Sequence, residues 1–282
     1  MKLYPIETGT FKLDGGVMFG FIPKALWQKI YPADENNLCK WAMRCLLVVD
    51  RDQKILIDNG IGDKQDKKFF SYYYLNGNNT LLSSLGKYGF SADDITDVVL
   101  THLHFDHCGG GVKYNRDRRR LELVFKNATY WSSKQQWDLA VNSNRMEQAS
   151  FLKENILPMG DSGHLKLIDR DSILFPDFSV KLFNGHTHGQ IIPFINYRGE
   201  TVVFTGDLLP STAHIPLPYI MSYDVRPLIS LEEKEIFLNE AVENNYILFF
   251  PHDLYNECCT VHKTGKEITV KETFLLKDRF GE

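Results

Sequence analysis

The chain has no apolar run near the roughly 20 residues that a membrane span requires, so no membrane-spanning helix is expected. It has no CxxC pair. Its five cysteines, Cys39, Cys45, Cys108, Cys258 and Cys259, are odd in number and irregularly spaced. That pattern argues against a disulfide framework and against a thiolate zinc site. Reduced thiols and a cytoplasmic location are the expectation. There is no excess of positive charge: the formal net charge is -4, which gives no electrostatic grip on nucleic acid. Repeats and low-complexity linkers are absent. The opening residues, interrupted by Pro5, Glu7 and Asp14, lack the apolar core of a signal peptide.

What remains is an ordinary globular composition, with 43% apolar and 24% charged residues among 282. A chain of this length hides roughly three quarters of its unfolded surface on folding. A single domain over 1–282 is expected. The first third reads mostly as strands. Apolar runs at 42–50 and 54–60 flank Arg51-Asp52-Gln53, which predicts a hairpin. Residues 80–88 carry Leu81, Leu82 and Leu85 on one helical face, and 97–100 is a short strand. Helices are expected at 132–141 and 146–157, the second ended by Pro158 and Gly160. Strands are expected at 179–183, 191–197 and 201–204. Ser230 and Glu233 form the pattern of a capping box opening a helix to about Asn244, and 246–250 reads as a buried strand. The charge run 116–120 reads as a solvated loop. Sheet and helix occur in both halves, which favours a layered α/β (α+β) arrangement over an all-β barrel.

The residues that carry chemistry sit at the ends of these strands. His102 follows Val98-Val99-Leu100, His186 follows 180–183, Asp207 follows 202–204, and His252 follows 247–250. Polar groups at strand ends gather on one edge of a sheet, held by rigid elements. The first motif, His102-x-His104-x-Asp106-His107, would arise by chance in roughly one such chain in several thousand, given how rare His is. Two histidines at i, i+2 leave one face of an extended segment and converge on one ion. Asp106 and His107 lie in the following turn and aim elsewhere. Gly109, Gly110 and Gly111 allow a tight bend. One ion would take His102, His104 and His186; a second would take Asp106, His107 and His252; Asp207 would bridge both. Imidazole with carboxylate suits two divalent metal ions, zinc first, with Fe, Mn or Co as alternatives. Incomplete protein shells leave positions open for water, as catalytic sites require.

The order 101–107, then Gly185-His186-Thr187, Thr205-Gly206-Asp207 and His252, resembles the metallo-β-lactamase superfamily. The strand Leu56-Ile57-Asp58-Asn59-Gly60 is similar to that family's upstream strand. The resemblance implies a four-layer αββα sandwich with a dinuclear site at one edge of the inner sheets. Flavodiiron-type oxidoreductases carry Glu where His104 stands, the best-known β-lactamases carry Cys where Asp207 stands, and persulfide dioxygenases hold one iron. Nothing suggests the extra domain of RNA-cleaving relatives. The length, and the segment 206–211 with Tyr223-Asp224, look most like the methyl parathion hydrolase and lactonase-like group. Short acyl-homoserine lactonases carry Tyr three residues after the bridging Asp, and here that place is Pro210. The usual GHTPGH run here reads Gly185-His186-Thr187-His188-Gly189-Gln190.

The expected activity is dinuclear, metal-dependent hydrolysis, in which a metal-bridging hydroxide cleaves a lactone, carboxylic ester or organophosphate with apolar groups. Asp106 and Asp207 are the expected catalytic carboxylates, Asp106 as proton carrier to the leaving group by the resemblance. Asp58 is expected to orient a ligand histidine. Apolar candidates for the pocket are Phe19 and Phe21 before the core sheet, and Ile215 and Leu217 in the Pro-rich loop after Asp207. His188, His214 and Tyr223 are candidate hydrogen-bonding groups toward substrate. The expected partner is a small hydrophobic molecule, with no nucleic acid and no membrane. Oligomeric state stays open, a homodimer included. Two other readings stand beside this one: an iron-dependent oxidoreductase on the same fold, and a metal-retaining binding protein without turnover.

Overall fold

In the computed structural model, which describes residues 1–281, alternating hydrophobic segments become strands of two main sheets. Strands β1 (Lys2–Asp14), β2 (Leu38–Asp50), β3 (Gln53–Ile57) and β4 (Asp97–Val99) open the chain. Strands β5 (Val112–Tyr114) and β6 (Leu121–Leu123) form a separate hairpin, and β7 (Thr129–Ser133) and β8 (Leu165–Ile168) follow. The first sheet has the order β1-β2-β3-β4-β7-β8. Next come β9 (Ser172–Phe175), β10 (Phe178–Phe183), β11 (Gln190–Tyr197), β12 (Glu200–Phe204), β13 (Ile247–Phe249), β14 (Cys258–Thr264) and β15 (Glu267–Phe274). They form the second sheet, in the reverse order β15 to β9. The class is mixed α/β, as expected.

The chain divides into two compact units. One comprises Met1–Thr10, Met43–Asp171 and Gly189–Ile191; the other comprises Phe11–Ala42, Ser172–His188 and the chain from Ile192 on. In the first unit β2 and β3 form the expected hairpin, Asp50 opposite Gln53, and β3, β4, β7 and β8 run parallel. Its core joins Leu47, Leu56, Val98, Leu100 and Tyr130 with Ile156 and Met159. In the second unit β12 runs parallel to β13, Phe204 opposite Phe249. Its core joins Ile192, Val203 and Leu248 with Phe237 and Leu238 of the helix Pro227–Glu243.

Three sequence expectations are corrected. The helix expected at 146–157 starts at Lys153 and runs to Asp161, with Pro158 inside it. Gly160 does not end it. A Cβ there would meet the Trp137 ring at 2.6 Å, so Gly160 is a packing residue, and the chain turns instead at Gly163, φ +75°. The helix expected from Ser230 starts three residues earlier, with Pro227 at its first turn, where a missing N–H costs nothing. Ser230 and Glu233 therefore form no capping box. The glycines after His107 are needed for close approach rather than for bending: Gly109 has φ -66°, and Cβ atoms at Gly109 and Gly110 would stand 2.2 Å from the Ile61 carbonyl oxygen and 2.1 Å from that of Asn59. The charge run 116–120 forms the exposed turn between β5 and β6.

Candidate functional site

The first unit carries the His-x-His-x-Asp-His motif. Strands β3 and β4 are parallel with Ile57 opposite Val99, so Asp58 and Thr101 leave neighbouring strand ends. Asp58 takes the left-handed conformation, φ 58°, which Asp tolerates better than most side chains. Its carboxylate accepts from the Thr101 amide at 2.8 Å and from the Thr101 hydroxyl at 2.8 Å. It also accepts from His107 Nδ1 at 2.8 Å. With the Thr101 proton committed to Asp58, Thr101 Oγ1 is the acceptor for His102 Nδ1, 3.0 Å away. One buried carboxylate thus fixes two histidines. Both are left with Nε2 as the nitrogen that carries the lone pair.

The rest of the motif folds tightly around that anchor. Residues Phe105–Cys108 make one helical turn, closed by the His107 and Cys108 amides on the His104 carbonyl. The Asn59 amide bonds the His107 carbonyl at 2.9 Å. The His102 ring centroid lies 4.5 Å from that of His104 and 4.0 Å from that of His107. Asp106 Oδ2 lies 3.7 Å from His107 Nε2. All three histidines are buried, and Asp106 is partly exposed. Cys108 donates to the Leu103 carbonyl, and burial pushes its thiol up to about 12. It is a packed residue rather than a ligand.

The second unit carries the other three. Phe204 pairs with Phe249 in parallel register, so positions three residues beyond each strand, Asp207 and His252, emerge side by side. Asp207 Oδ1 lies 3.2 Å from His252 Nε2, and its Oδ2 lies 3.2 Å from His186 Nε2. His252 Nδ1 lies 2.8 Å from the Ala42 carbonyl oxygen. A carbonyl only accepts, so that nitrogen carries the proton. His186 Nδ1 is held by the Asp224 carboxylate at 2.9 Å. In their neutral forms both histidines turn an Nε2 lone pair toward an Asp207 carboxylate oxygen. Acceptor faces acceptor at 3.2 Å. That arrangement needs a cation or a proton between the groups, and the donor set of His and Asp fits a divalent metal ion.

Around this half the chain fixes its loops with buried polar groups. Glu233, on the helix Pro227–Glu243, accepts from the Asn184 and Gly185 amides at 2.7 and 2.9 Å, so the carboxylate that looked like a helix cap instead anchors the loop bearing His186. Lys234 is 2% exposed and donates to the carbonyls of Pro216, Leu217 and Tyr219. Burial pushes its ammonium down to about 7. The cavity beside Asp207, Asp224 and Lys234 is about 10 Å³, room for roughly one water. It admits no substrate.

The candidate substrate residues distribute unevenly. His214 donates Nε2–H to the Met18 carbonyl at 2.9 Å and accepts from Ser211 at 2.7 Å through Nδ1. Both nitrogens are engaged, and burial pushes the ring down to about 3. It is a neutral structural tie, not a donor toward substrate. Phe19 is fully buried, stacked between His214 and Trp27, and Ile215 lies in the second core. These two pack inside the unit instead of lining a pocket. Leu217 is half-buried against the same core. Phe21 is exposed, Tyr223 is 41% exposed, and His188 is half-buried.

Four residues escaped sequence reasoning. Asp224 entered it only as part of a segment likeness; its grip on His186 depends on a contact 38 residues away. Glu147, buried, reaches within 4.0 Å of His104 Nε2. Phe69 and Tyr73 pack on Phe105, the residue before Asp106, at 5.3 and 4.7 Å. The aromatic run 69–74 was the available signal for these two.

Comparison with known proteins agrees with this geometry. The family model described as the metallo-beta-lactamase superfamily matches residues 44–252, and the chain belongs to that superfamily. An N-acyl homoserine lactonase of Bacillus thuringiensis is 23% identical over 271 residues, covering 91% of this chain and 94% of that protein. A solved structure described as a probable metal-dependent hydrolase from Staphylococcus aureus is 27% identical with TM-score 0.87, covering 97% and 98% of the two chains. AidC, a dizinc quorum-quenching lactonase solved with its product N-hexanoyl-L-homoserine, is 25% identical with TM-score 0.76, covering 97% and 95%. The protein is a metal-dependent hydrolase of the metallo-β-lactamase fold, and the lactonase-like resemblance read from the sequence is borne out.

Proposed function

We propose that the chain is a dinuclear hydrolase of lactones or related esters bearing apolar groups. His102, His104 and His186 would hold one ion, Asp106, His107 and His252 the second, and Asp207 would be shared between them. The observation that carries this reading is the pair of Nε2 atoms 3.2 Å from the two Asp207 carboxylate oxygens, with each opposite nitrogen held by Asp224 or by the Ala42 carbonyl. Zinc suits the donors, and when bound it supplies an acidified water and a Lewis acid for the electrophile. The chain's own residues do the rest. Asp58 and Asp224 hold ligand rings at fixed angles and tautomers. Asp106, the partly exposed carboxylate of the motif, carries a proton to the leaving oxygen. The aromatic wall of Phe69, Tyr73 and Phe105 next to it supports an apolar substrate. The lactonase relatives named above support a lactone as the first candidate. The whole chain 1–282 would act as one hydrolase domain, since the family match spans segments of both units. Five buried, free cysteines fit a cytoplasmic setting. Among the described residues no helix is long and apolar enough to cross a membrane.

The test is a screen of zinc-loaded protein against lactones, aryl esters and organophosphate triesters. Lactone opening is expected, abolished by chelation and restored by zinc. Silence across all three classes would sink the proposal.

A further inference from the structure

Residues 144–151 close over one edge of the metal motif, and the hydrolytic reading gives them no task. The Asn144 side-chain oxygen accepts from the Met146 and Glu147 amides at 2.8 and 3.0 Å, and the Gln148 amide bonds the Asn144 carbonyl at 3.0 Å. The turn is thereby fixed on its own atoms. From it, contacts lead to the motif. The Phe105 amide bonds the Ser150 carbonyl at 3.0 Å, the Phe151 ring centroid lies 5.0 Å from that of His104, and Glu147 Oε1 lies 4.0 Å from His104 Nε2. Backbone and ring of residues 104–105 are met by the same short segment.

Glu147 is 4% exposed. A carboxylate buried to that degree is costly unless its charge is answered. Asn144 Nδ2 answers Oε2 at 2.5 Å. The other oxygen, Oε1, is the one beside the His104 ring. At 4.0 Å that contact is electrostatic, longer than a hydrogen bond, and burial strengthens it. A negative oxygen beside Nε2 favours the proton on that nitrogen and the lone pair on Nδ1. His102 and His107 are held the other way, with Nδ1 committed to Thr101 and Asp58.

We propose that Glu147 is a positioning residue for His104: its charge keeps the proton on Nε2 and so presents Nδ1 to the metal ion. The inference rests on the proposed role of His104 as a ligand. Glu147 lies outside the converging groups of ligand atoms among the described residues. It acts through the His104 ring, as Asp58 acts through that of His107.

The test uses the zinc-loaded chain with isotope-labelled histidine, beside Glu147→Gln and Glu147→Leu. Glu147→Gln keeps the shape and removes the charge. Asn144 Nδ2 claims the new amide's oxygen, so its nitrogen faces His104 and favours a lone pair on Nε2. By NMR, the wild-type His104 ring is expected to carry its proton on Nε2, with Nδ1 on zinc. In both variants zinc affinity, read by competition titration, is expected to fall about 10–100-fold, and the His104 Nε2–H resonance to shift or vanish. A turn that merely packs would lower the melting temperature of Glu147→Leu and leave Glu147→Gln like the wild type, which would overturn the proposal. A wild-type ring with its proton on Nδ1 would overturn it as well. If Glu147→Leu does not fold, Glu147→Gln alone decides. Both readouts are taken without substrate. A protein that binds zinc as expected and opens no lactone thus contradicts the proposed function alone. One that opens lactones with zinc affinity untouched in Glu147→Gln contradicts this inference alone.

Discussion

Asp58 shows how much one buried carboxylate does. It accepts from the Thr101 amide, the Thr101 hydroxyl and His107 Nδ1 at once. Asp58→Asn replaces one acceptor oxygen with a donor facing other donors. Removing such a partner of a ligand histidine typically costs 10–100-fold in metal affinity. A loss on the order of tenfold or more is expected in a zinc competition titration, with the fold retained. An unchanged affinity would remove Asp58 from the site. This residue was legible from its place at a strand end. Asp224, which does the same for His186, was not, because its strand-distant loop gives no local pattern. His214 was legible as a polar residue near the site but not as a structural tie, since its partner Met18 is 196 positions away. Burial lowers it from 6.5 to about 3, so the folded chain binds fewer protons there than the unfolded chain within that window. Stability is therefore full above pH 6.5 and lost as the pH falls toward 3. This group alone is expected to cost about 2 kcal/mol between pH 7 and pH 5. Urea unfolding of the wild type and of His214→Gln at both values checks it: the variant's curve is expected to be flatter, and equal slopes would contradict the assignment.

At the scale of elements, the strands were readable and the helix boundaries were not. Short apolar runs bounded by turn residues gave β4, β10, β11, β12 and β13 nearly to their limits, whereas β2 begins at Leu38, ahead of the expected 42, and β3 ends at Ile57, short of the expected 60. The C-terminal pair β14 and β15 went unassigned, because 267–274 is largely exposed and carries charges along its length. Pro158 misled because proline ends most helices. Here its neighbours Ile156 and Met159 are buried in the core, and that packing outweighs one missing backbone bond. Ser230 and Glu233 matched a cap in spacing, but Pro227 set the start and freed Glu233 for the Gly185 amide. Gly185 is then under constraint: a Cβ would stand 2.4 Å from the Ser230 backbone. Gly185→Ala is expected to displace the His186 loop and lower turnover by an order of magnitude or more, with little change in melting temperature. Lys234 clamps 216–219 from the same helix. Hydrogen exchange of that segment is expected to speed up in Lys234→Met while β12 and β13 stay protected. Unchanged exchange would mean that the three carbonyl contacts do not hold the loop.

For the molecule as a whole, the family was legible because its motif is nearly contiguous and His186, Asp207 and His252 each follow a strand of recognisable apolar character. The division into two compact units was not legible. The chain crosses between them at Thr10, Ala42, Asp171, His188 and Ile191, and none of those points carries a linker-like composition. The substrate pocket was read least well. Phe19 and Ile215 are apolar for the sake of cores, and apolar residues of a core and of a pocket share one composition. The aromatic wall on Phe105 became visible only through contacts between 69–73 and the metal motif.

If Asp207 is shared by two metal ions as proposed, metal content and turnover must both depend on it. The most direct measurement is the metal content per chain, with turnover on a lactone, of purified wild type and Asp207→Ala after equilibration with zinc and removal of excess. Two ions per wild-type chain are expected, with fewer than two and roughly a hundred- to thousandfold less turnover in the variant, on the scale of losing one decisive catalytic group. An Asp207→Ala protein that keeps both ions and full turnover would contradict the account.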